Sequence, residues 1–150
     1  YPFARRGIVW GGCASWFLPR VVGISTAMDW GLTGRTFNAA EAFESGLVAR
    51  VVPAEDLMAE ARERARLIAD KCAPVSVSLM RRMAWRMLGA AHPMEAHRIE
   101  TQGILHAGMG ADAKEGVMSF LEKRNPDFPM KVSEDMPSWY PFWDEAEDAY

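Results

Sequence analysis

Helix start and stop signals punctuate this chain from Asn38 onward, and they confine it to a mostly helical build. Asn38-Ala-Ala-Glu41 has the spacing of a capping box, in which the Asn38 side chain accepts from an amide one turn on and Glu41 reaches back. The helix it opens is short and is predicted to end near Gly46. From about Ala54 to Cys72, the apolar residues Leu57, Ala61, Ala65, Ile68 and Cys72 recur at three- and four-residue steps with charges between them, the pattern of an amphipathic helix. Pro74 suits the first turn of a further helix, which reaches about Leu88 before Gly89. Pro93 starts another, to about Ala107, with Gly108 and Gly110 after it. Asp112-Ala-Lys-Glu115 repeats the capping-box spacing and predicts a helix to about Lys123. Between these, Leu47 to Val52 is Val-rich and reads as a short strand that Pro53 ends.

A chain of 150 residues is long enough for one domain around one core. It opens on Tyr1 without an initiator Met, directly into apolar Tyr1-Pro2-Phe3, which fits a processed or truncated chain better than a natural start. Charge is nearly balanced, with 17 Lys and Arg against 20 Asp and Glu, so no basic footprint points to nucleic acid. Arg62, Arg64 and Arg66 alternate with Glu60, Glu63 and Asp70 and read as a solvated helix face. Cys13 and Cys72 are far apart and lack metal-ligand spacing. They read as small buried side chains in a reducing, cytoplasmic compartment, with a disulfide left open by sequence alone. No apolar run approaches the ~18 residues of a membrane span.

His92, His97 and His106, with Glu95 and Glu100, do not make a zinc pattern, so no metal is expected. Ser15, Ser25 and Ser45 have no nucleophile-elbow context, and no glycine-rich phosphate loop is present. From Pro126 the character changes: prolines at 126, 129, 137 and 141 break helices, and Trp139, Tyr140, Phe142, Trp143 and Tyr150 alternate with acidic residues. So many aromatics argue for a strap packed on its own domain or on a neighbouring subunit, rather than a docking motif for another protein.

Beyond these local signals lies an ordered series of short motifs. They are Gly7-Ile-Val9, Gly12-Cys-Ala-Ser-Trp-Phe-Leu-Pro-Arg20, Val22-Gly23, Leu32-Thr-Gly-Arg35, Ala40-Glu-Ala42, Gly46-Leu-Val48, Val51-Val-Pro53 and a final Glu115-Gly-Val-Met-Ser-Phe-Leu-Glu-Lys-Arg124 helix. Each is weak alone. In this order and spacing the chain resembles the C-terminal part of an enoyl-CoA hydratase/isomerase (crotonase) domain. The resemblance implies an α/β chain: the C-terminal part of a ββα spiral fold, mostly helical with one or two short strands. Residues 1–53 would form the last spiral turn and pocket wall. Residues 54–128 would be a helical cap that drives oligomerisation, as a trimer or a dimer of trimers, and 129–150 the aromatic and acidic strap.

The family chemistry, by the same resemblance, is hydration of a 2-enoyl-CoA or double-bond isomerisation through an oxyanion-stabilised enolate, in fatty acid metabolism. It needs two N–H groups on the thioester oxygen, carboxylates that move a proton, and a pocket for the acyl-CoA. The oxyanion donors and one hydratase Glu would lie before Tyr1, so the isolated chain is expected to be inactive. The second hydratase Glu would fall at Phe3, and the isomerase-type Glu at the Trp10-Gly11 dipeptide; neither position holds a carboxylate. Trp10, Gly11, Trp16 and Phe17 would line the acyl pocket, or else Gly11-Gly12 is a turn and the aromatics are core. Lys123 would approach the CoA end from an adjacent subunit, or else it complements a helix C-terminus. No cofactor is implied beyond the CoA of the substrate. The alternative is a catalytically silent assembly module of the same fold.

Overall fold

The computed structural model describes residues 2–140, and the chain divides into two compact units, Tyr1–Met58 and Ala59–Tyr150. Among the described residues, the apolar core cluster of Leu18, Ala27 and Trp30 lies in the first unit, where chain length suggests one core for the whole chain.

In the first unit, a 3-10 turn at Ala4–Arg6 leads to α1 (Ala14–Val22), α2 (Ile24–Thr33) and α3 (Ala39–Glu44). Helices α1 and α2 pack on each other around Leu18, Ala27 and Trp30, with Trp10, Val22, Phe37 and Leu47 half-buried against them. Trp30 is fully buried and stacks on Phe37, ring centroids 3.8 Å apart and 11° from parallel. The α2 helix ends because Gly34 takes a left-handed φ of 57°, which lets its amide donate back to the Trp30 carbonyl. The first capping box forms by half. Asn38 Oδ1 accepts from the Glu41 amide at 2.9 Å, but the Glu41 side chain turns to Arg35 and Trp30 instead of reaching back.

In the second unit, a 3-10 turn at Ala54–Asp56 precedes α4 (Leu57–Lys71), which starts at the boundary between units. Then come α5 (Pro74–Met87), α6 (Pro93–Met109) and α7 (Ala111–Leu121). Pro74 and Pro93 both sit in first turns as expected. Helix α6 contacts both α5 and α7, and Val75 and Leu79 are the buried apolar anchors of α5. The chain after α7 returns along this unit. The Met130 amide donates to Asp112 at 2.9 Å, Pro137 is buried, and the His106 ring packs edge-on to Trp139.

Several expectations are corrected. The described residues contain no β-strand, so the α/β reading, the C-terminal part of a ββα spiral with one or two short strands, does not describe this structure. Leu47 to Val52 forms bends and irregular backbone. Its Val content favours a strand, but a strand needs a hydrogen-bonded neighbour, and no second extended segment pairs with it among the described residues. The second capping box also fails. Gly110 is the cap residue of α7, and Asp112 lies inside its first turn. Cys13 is exposed instead of buried; both cysteines are free thiols. The α4 stripe of Leu57, Ala61, Ala65 and Ile68 has the predicted period, but no residue of that helix is buried. The tail residues Phe142, Trp143 and Tyr150 lie outside the described residues.

Candidate functional site

The segment that carries most of the candidate pocket residues is a run of tight turns. Gly7 and Gly12 take left-handed φ values of 72° and 61°, and Cys13 follows at 57°. A non-glycine residue at such a φ costs roughly 1–2 kcal/mol. The cost is offset by hydrogen bonds. The Gly11 carbonyl accepts from the Ala14 amide, and the Cys13 carbonyl accepts from Trp16 at 2.9 Å and Phe17 at 3.0 Å, which starts α1. Gly11 itself has no left-handed φ, and a Cβ built there meets nothing within 4 Å. A side chain at position 11 would project into open space.

Trp10 has a fixed place. Its ring lies directly on the buried backbone of Gly31 in α2: a Cβ at Gly31 would come within 2.0 Å of Trp10 Cζ2. The glycine is thus a seat for the indole, which holds Trp10 against the Leu18, Ala27 and Trp30 cluster. Trp16 and Phe17 come together one turn further on, edge to face with centroids 4.7 Å apart. The Arg20 guanidinium covers Trp16 at 4.1 Å and donates to the Trp16 carbonyl at 2.9 Å. Trp16 is half-buried and Phe17 is 42% exposed. Phe3 is half-buried; its carbonyl accepts the amides of Arg6 and Ile8 and so closes the turn that precedes Gly7.

Sequence reasoning missed the polar clamp beside this cluster. Arg35 Nη1 donates to Glu41 Oε2 at 2.9 Å, and Nη2 is bonded to Glu41 Oε1 as well. The same guanidinium donates to Asp29 Oδ2 through Nε at 2.9 Å and Nη2 at 2.6 Å. Trp30 Nε1–H donates to Glu41 Oε1 at 2.9 Å. The Arg35 guanidinium first, and the Trp30 indole second, hold the Glu41 carboxyl down to about 2. These bonds give a physical reason for Leu32-Thr-Gly-Arg35 and Ala40-Glu-Ala42 to occur together: Arg35 and Glu41 tie the end of α2 to the start of α3. The signal available in sequence was an Arg and a Glu six residues apart, on either side of a capped helix start.

Glu115 plays the same part in the second unit. It takes a two-point ion pair from Arg124, with Nη1 at 2.5 Å and Nη2 at 2.8 Å, and accepts the Asp127 amide at 2.7 Å. Arg124 first, and that amide second, lower its carboxyl to about 2. Both carboxylates are therefore acceptors locked in charged form, suited to holding helix ends and unsuited to passing a proton near neutral pH. Asp112 differs. It is 5% exposed, and only Oδ1 has a partner; Oδ2 is buried without one among the described residues.

Lys123 follows α7 with a left-handed φ of 55°, its amide bonded to the Phe120 carbonyl at 3.2 Å and the residue exposed. The three histidines are spread over the second unit. His92 Nδ1 accepts the Met94 amide as an α6 cap, and His106 Nε2 donates to the Asp135 carbonyl at 3.0 Å. Among the described residues, no group of three or more His, Cys, Asp or Glu side chains is placed to hold a metal ion. No described helix is long and apolar enough to cross a membrane.

Comparison with known proteins gives concordant results. A family model described as enoyl-CoA hydratase/isomerase matches residues 1–131. Enoyl-CoA hydratase ACTT3 of Alternaria alternata is 38% identical over 129 residues, covering 85% of this chain and 43% of that protein. The probable enoyl-CoA hydratase echA8 of Mycobacterium tuberculosis is 40% identical over 130 residues, with 85% and 49% covered. A solved probable enoyl-CoA hydratase/isomerase from Mycobacterium abscessus superposes with a TM-score of 0.83 at 34% identity, over 87% of this chain and 53% of that one. The chain spans about half the length of the curated relatives it matches.

Proposed function

Because this chain belongs to the enoyl-CoA hydratase/isomerase family, we propose that the protein acts on an acyl-CoA thioester, by hydration of a 2-enoyl-CoA or, second, by double-bond isomerisation. The observation that carries this reading is the family match over residues 1–131. Such chemistry needs no cofactor beyond the CoA of the substrate. A place in the cytoplasm and in fatty acid metabolism belongs to the same proposal.

In this reading the turn at Gly11 and the neighbouring Trp16–Phe17 pair border the acyl chain, with Trp10 as the rigid back of that wall. The open space at position 11 supports it, since a missing side chain there leaves room for a ligand. The exposed Lys123 ammonium is suited to the phosphates of a CoA held by an adjacent subunit. The proton-moving group is not supplied by Phe3 or Gly11, because neither side chain ionises.

The test combines binding with chemistry in the full-length protein. Titration with crotonyl-CoA is expected to show saturable binding, weakened about tenfold by Lys123→Ala if one phosphate ion pair is lost, near 1.4 kcal/mol. Gly11→Glu is expected to raise 3-enoyl-CoA isomerisation, since general acid–base help is usually worth ~10²–10⁴-fold. Gly11→Gln has similar volume and no proton to give. Equal rates for the Glu and Gln variants with binding intact would make position 11 a turn only, and no CoA binding at all would remove the enzyme reading.

A second reading, a silent assembly module of the same family, is favoured by one specific feature. Helices α6 and α7 expose large apolar side chains: Met109 is 81% exposed and Phe120 82%, with Ile104, Leu105 and Leu121 beside them in sequence. Such patches mark contact surfaces, and a trimer or a dimer of trimers would cover them. The two readings part on CoA binding, which a silent module need not show.

A further inference from the structure

Helix α1 carries a tryptophan on the side that core packing does not use. Ala14 and Leu18 are its buried residues. Trp16 and Arg20, four residues apart, share the face turned away from them. The Arg20 guanidinium lies over the indole at 4.1 Å, and its Nη1 donates to the Trp16 carbonyl at 2.9 Å. One cation thus holds both the ring and the backbone of the same residue. Phe17 meets that indole edge to face, ring centroids 4.7 Å apart. We infer that Arg20 is a positioning residue that fixes Trp16, and that the Trp16–Phe17 pair so fixed selects acyl-CoA thioesters bearing an aryl group over linear ones. This inference rests on the acyl-CoA reading and names the substrate class of the same wall.

Three observations point to an aryl group. The first is rigidity. An indole with a guanidinium on its face and a phenyl ring against it is restrained from turning. A planar ring laid on such a wall gives up little conformational freedom, whereas a flexible chain must surrender rotamers to lie along it. The second is spacing. Aromatic rings attract one another edge to face or offset, at centroid separations of about 4.5–7 Å. The Trp16–Phe17 pair already has that spacing, and Phe17 is 42% exposed, so a ligand ring can extend the same arrangement. The third is room. The Gly11 carbonyl accepts the Ala14 amide at 3.2 Å, and the Cys13 carbonyl accepts the Trp16 amide at 2.9 Å. These bonds tie the Gly11 turn directly to the first turn of α1, where the pair begins. A Cβ built at Gly11 meets nothing within 4 Å, so no side chain narrows that end of the wall.

The test compares two 2-enoyl-CoA thioesters of equal carbon count in the full-length protein: cinnamoyl-CoA, which carries a phenyl ring, and trans-2-nonenoyl-CoA, which is linear. Dissociation constants from titration calorimetry are expected to favour cinnamoyl-CoA by about three- to tenfold, the range of one ring–ring contact. Trp16→Leu is expected to bring that ratio close to one. Arg20→Ala is expected to lower it too, and to have no further effect on it in a Trp16→Leu background, because Arg20 acts through Trp16. A merely structural Arg20 would weaken both ligands alike and leave the ratio unchanged, which would overturn the inference. Equal affinity for the two thioesters in the parent protein would overturn the inference and leave the acyl-CoA reading standing; binding of neither would remove both. If Trp16→Leu loses its helical circular dichroism, Phe17→Leu, at the exposed ring, is read in its place: a fallen ratio supports the inference, and an unchanged one overturns it.

Discussion

Replacing Gly31 by alanine adds one methyl group at a position where helix propensity and packing make opposite demands. In an open helix the change stabilises by about 0.8–1.0 kcal/mol, since glycine is the poorer helix former. At Gly31 the new Cβ would stand 2.0 Å from Trp10 Cζ2, against an ordinary carbon contact of about 3.5–4.0 Å. The ring must retreat by at least about 1.5 Å or leave the cluster. Overpacking of this kind costs about 1–3 kcal/mol, and an expelled Trp10 also gives up its contact with the Leu18, Ala27 and Trp30 core. Packing is therefore expected to win, with a net loss of up to about 2 kcal/mol. In a unit of this size that lowers the melting temperature by about 4–8 °C per kcal/mol. The assay is thermal unfolding followed by circular dichroism and tryptophan fluorescence. Gly108→Ala is the control: it lies in α6, nothing stands within 4 Å of its Cβ position, and it is expected to stabilise. In a Trp10→Ala background, Gly31→Ala is expected to change sign and become stabilising. A coupling near zero in that double-mutant cycle would refute the claim that Trp10 is seated on Gly31.

Two further outcomes follow from the same geometry. Glu41 and Glu115 are held near 2 when folded, against 4.5 as the ordinary value, so their contribution is present above pH 4.5 and is lost as pH falls toward 2. Denaturant titrations across that window are expected to show a shallower acid loss for Glu41→Gln than for the parent, and an identical slope would contradict the clamp. The exposed apolar side chains on α6 and α7 are expected to make the 150-residue chain self-associate, so that sedimentation mass rises with concentration and the melting midpoint moves with it; Phe120→Glu with Met109→Glu is expected to weaken this, and a sharp monomer at every concentration would count against an assembly face.

What is legible in sequence is local, and what is not is relational. The starts at Pro74 and Pro93 and the Asn38 cap are legible because a proline or a capping side chain acts within its own turn. Helices α1 and α2 give no such signal, since neither is capped by a side chain; α1 is launched by the left-handed turn at Gly12 and Cys13. Leu47 to Val52 misleads because residue preference says nothing of a pairing partner. Asp112 and Glu115 have capping-box spacing, but Met130 claims the first and Arg124 with Asp127 the second, both from chain that comes after the helix. Likewise, Gly31 serves as the floor for the indole of Trp10, which precedes the helix it rests on, and no local signal in sequence marks that contact. The ordered motifs make the family legible all the same, because their joint spacing records these pairings without revealing them.

The paired positions Trp10 and Gly11 separate into two different jobs. Trp10 is fixed by its seat on Gly31, so changing it disturbs the first unit's core before it touches any chemistry. Gly11 has neither a positive φ nor a neighbour at its Cβ position, so a carboxylate can be placed there at little structural cost. This asymmetry decides how the site is to be probed. A Trp10→Pro change made together with Gly11→Glu would confound lost packing with gained proton transfer, whereas Gly11→Glu alone reads out the chemistry. The two strongly lowered carboxylates, Glu41 and Glu115, are already committed to arginines, an indole and backbone. Position 11 is accordingly where the proposed reaction can gain a proton carrier without dismantling a clamp that holds the helices in place.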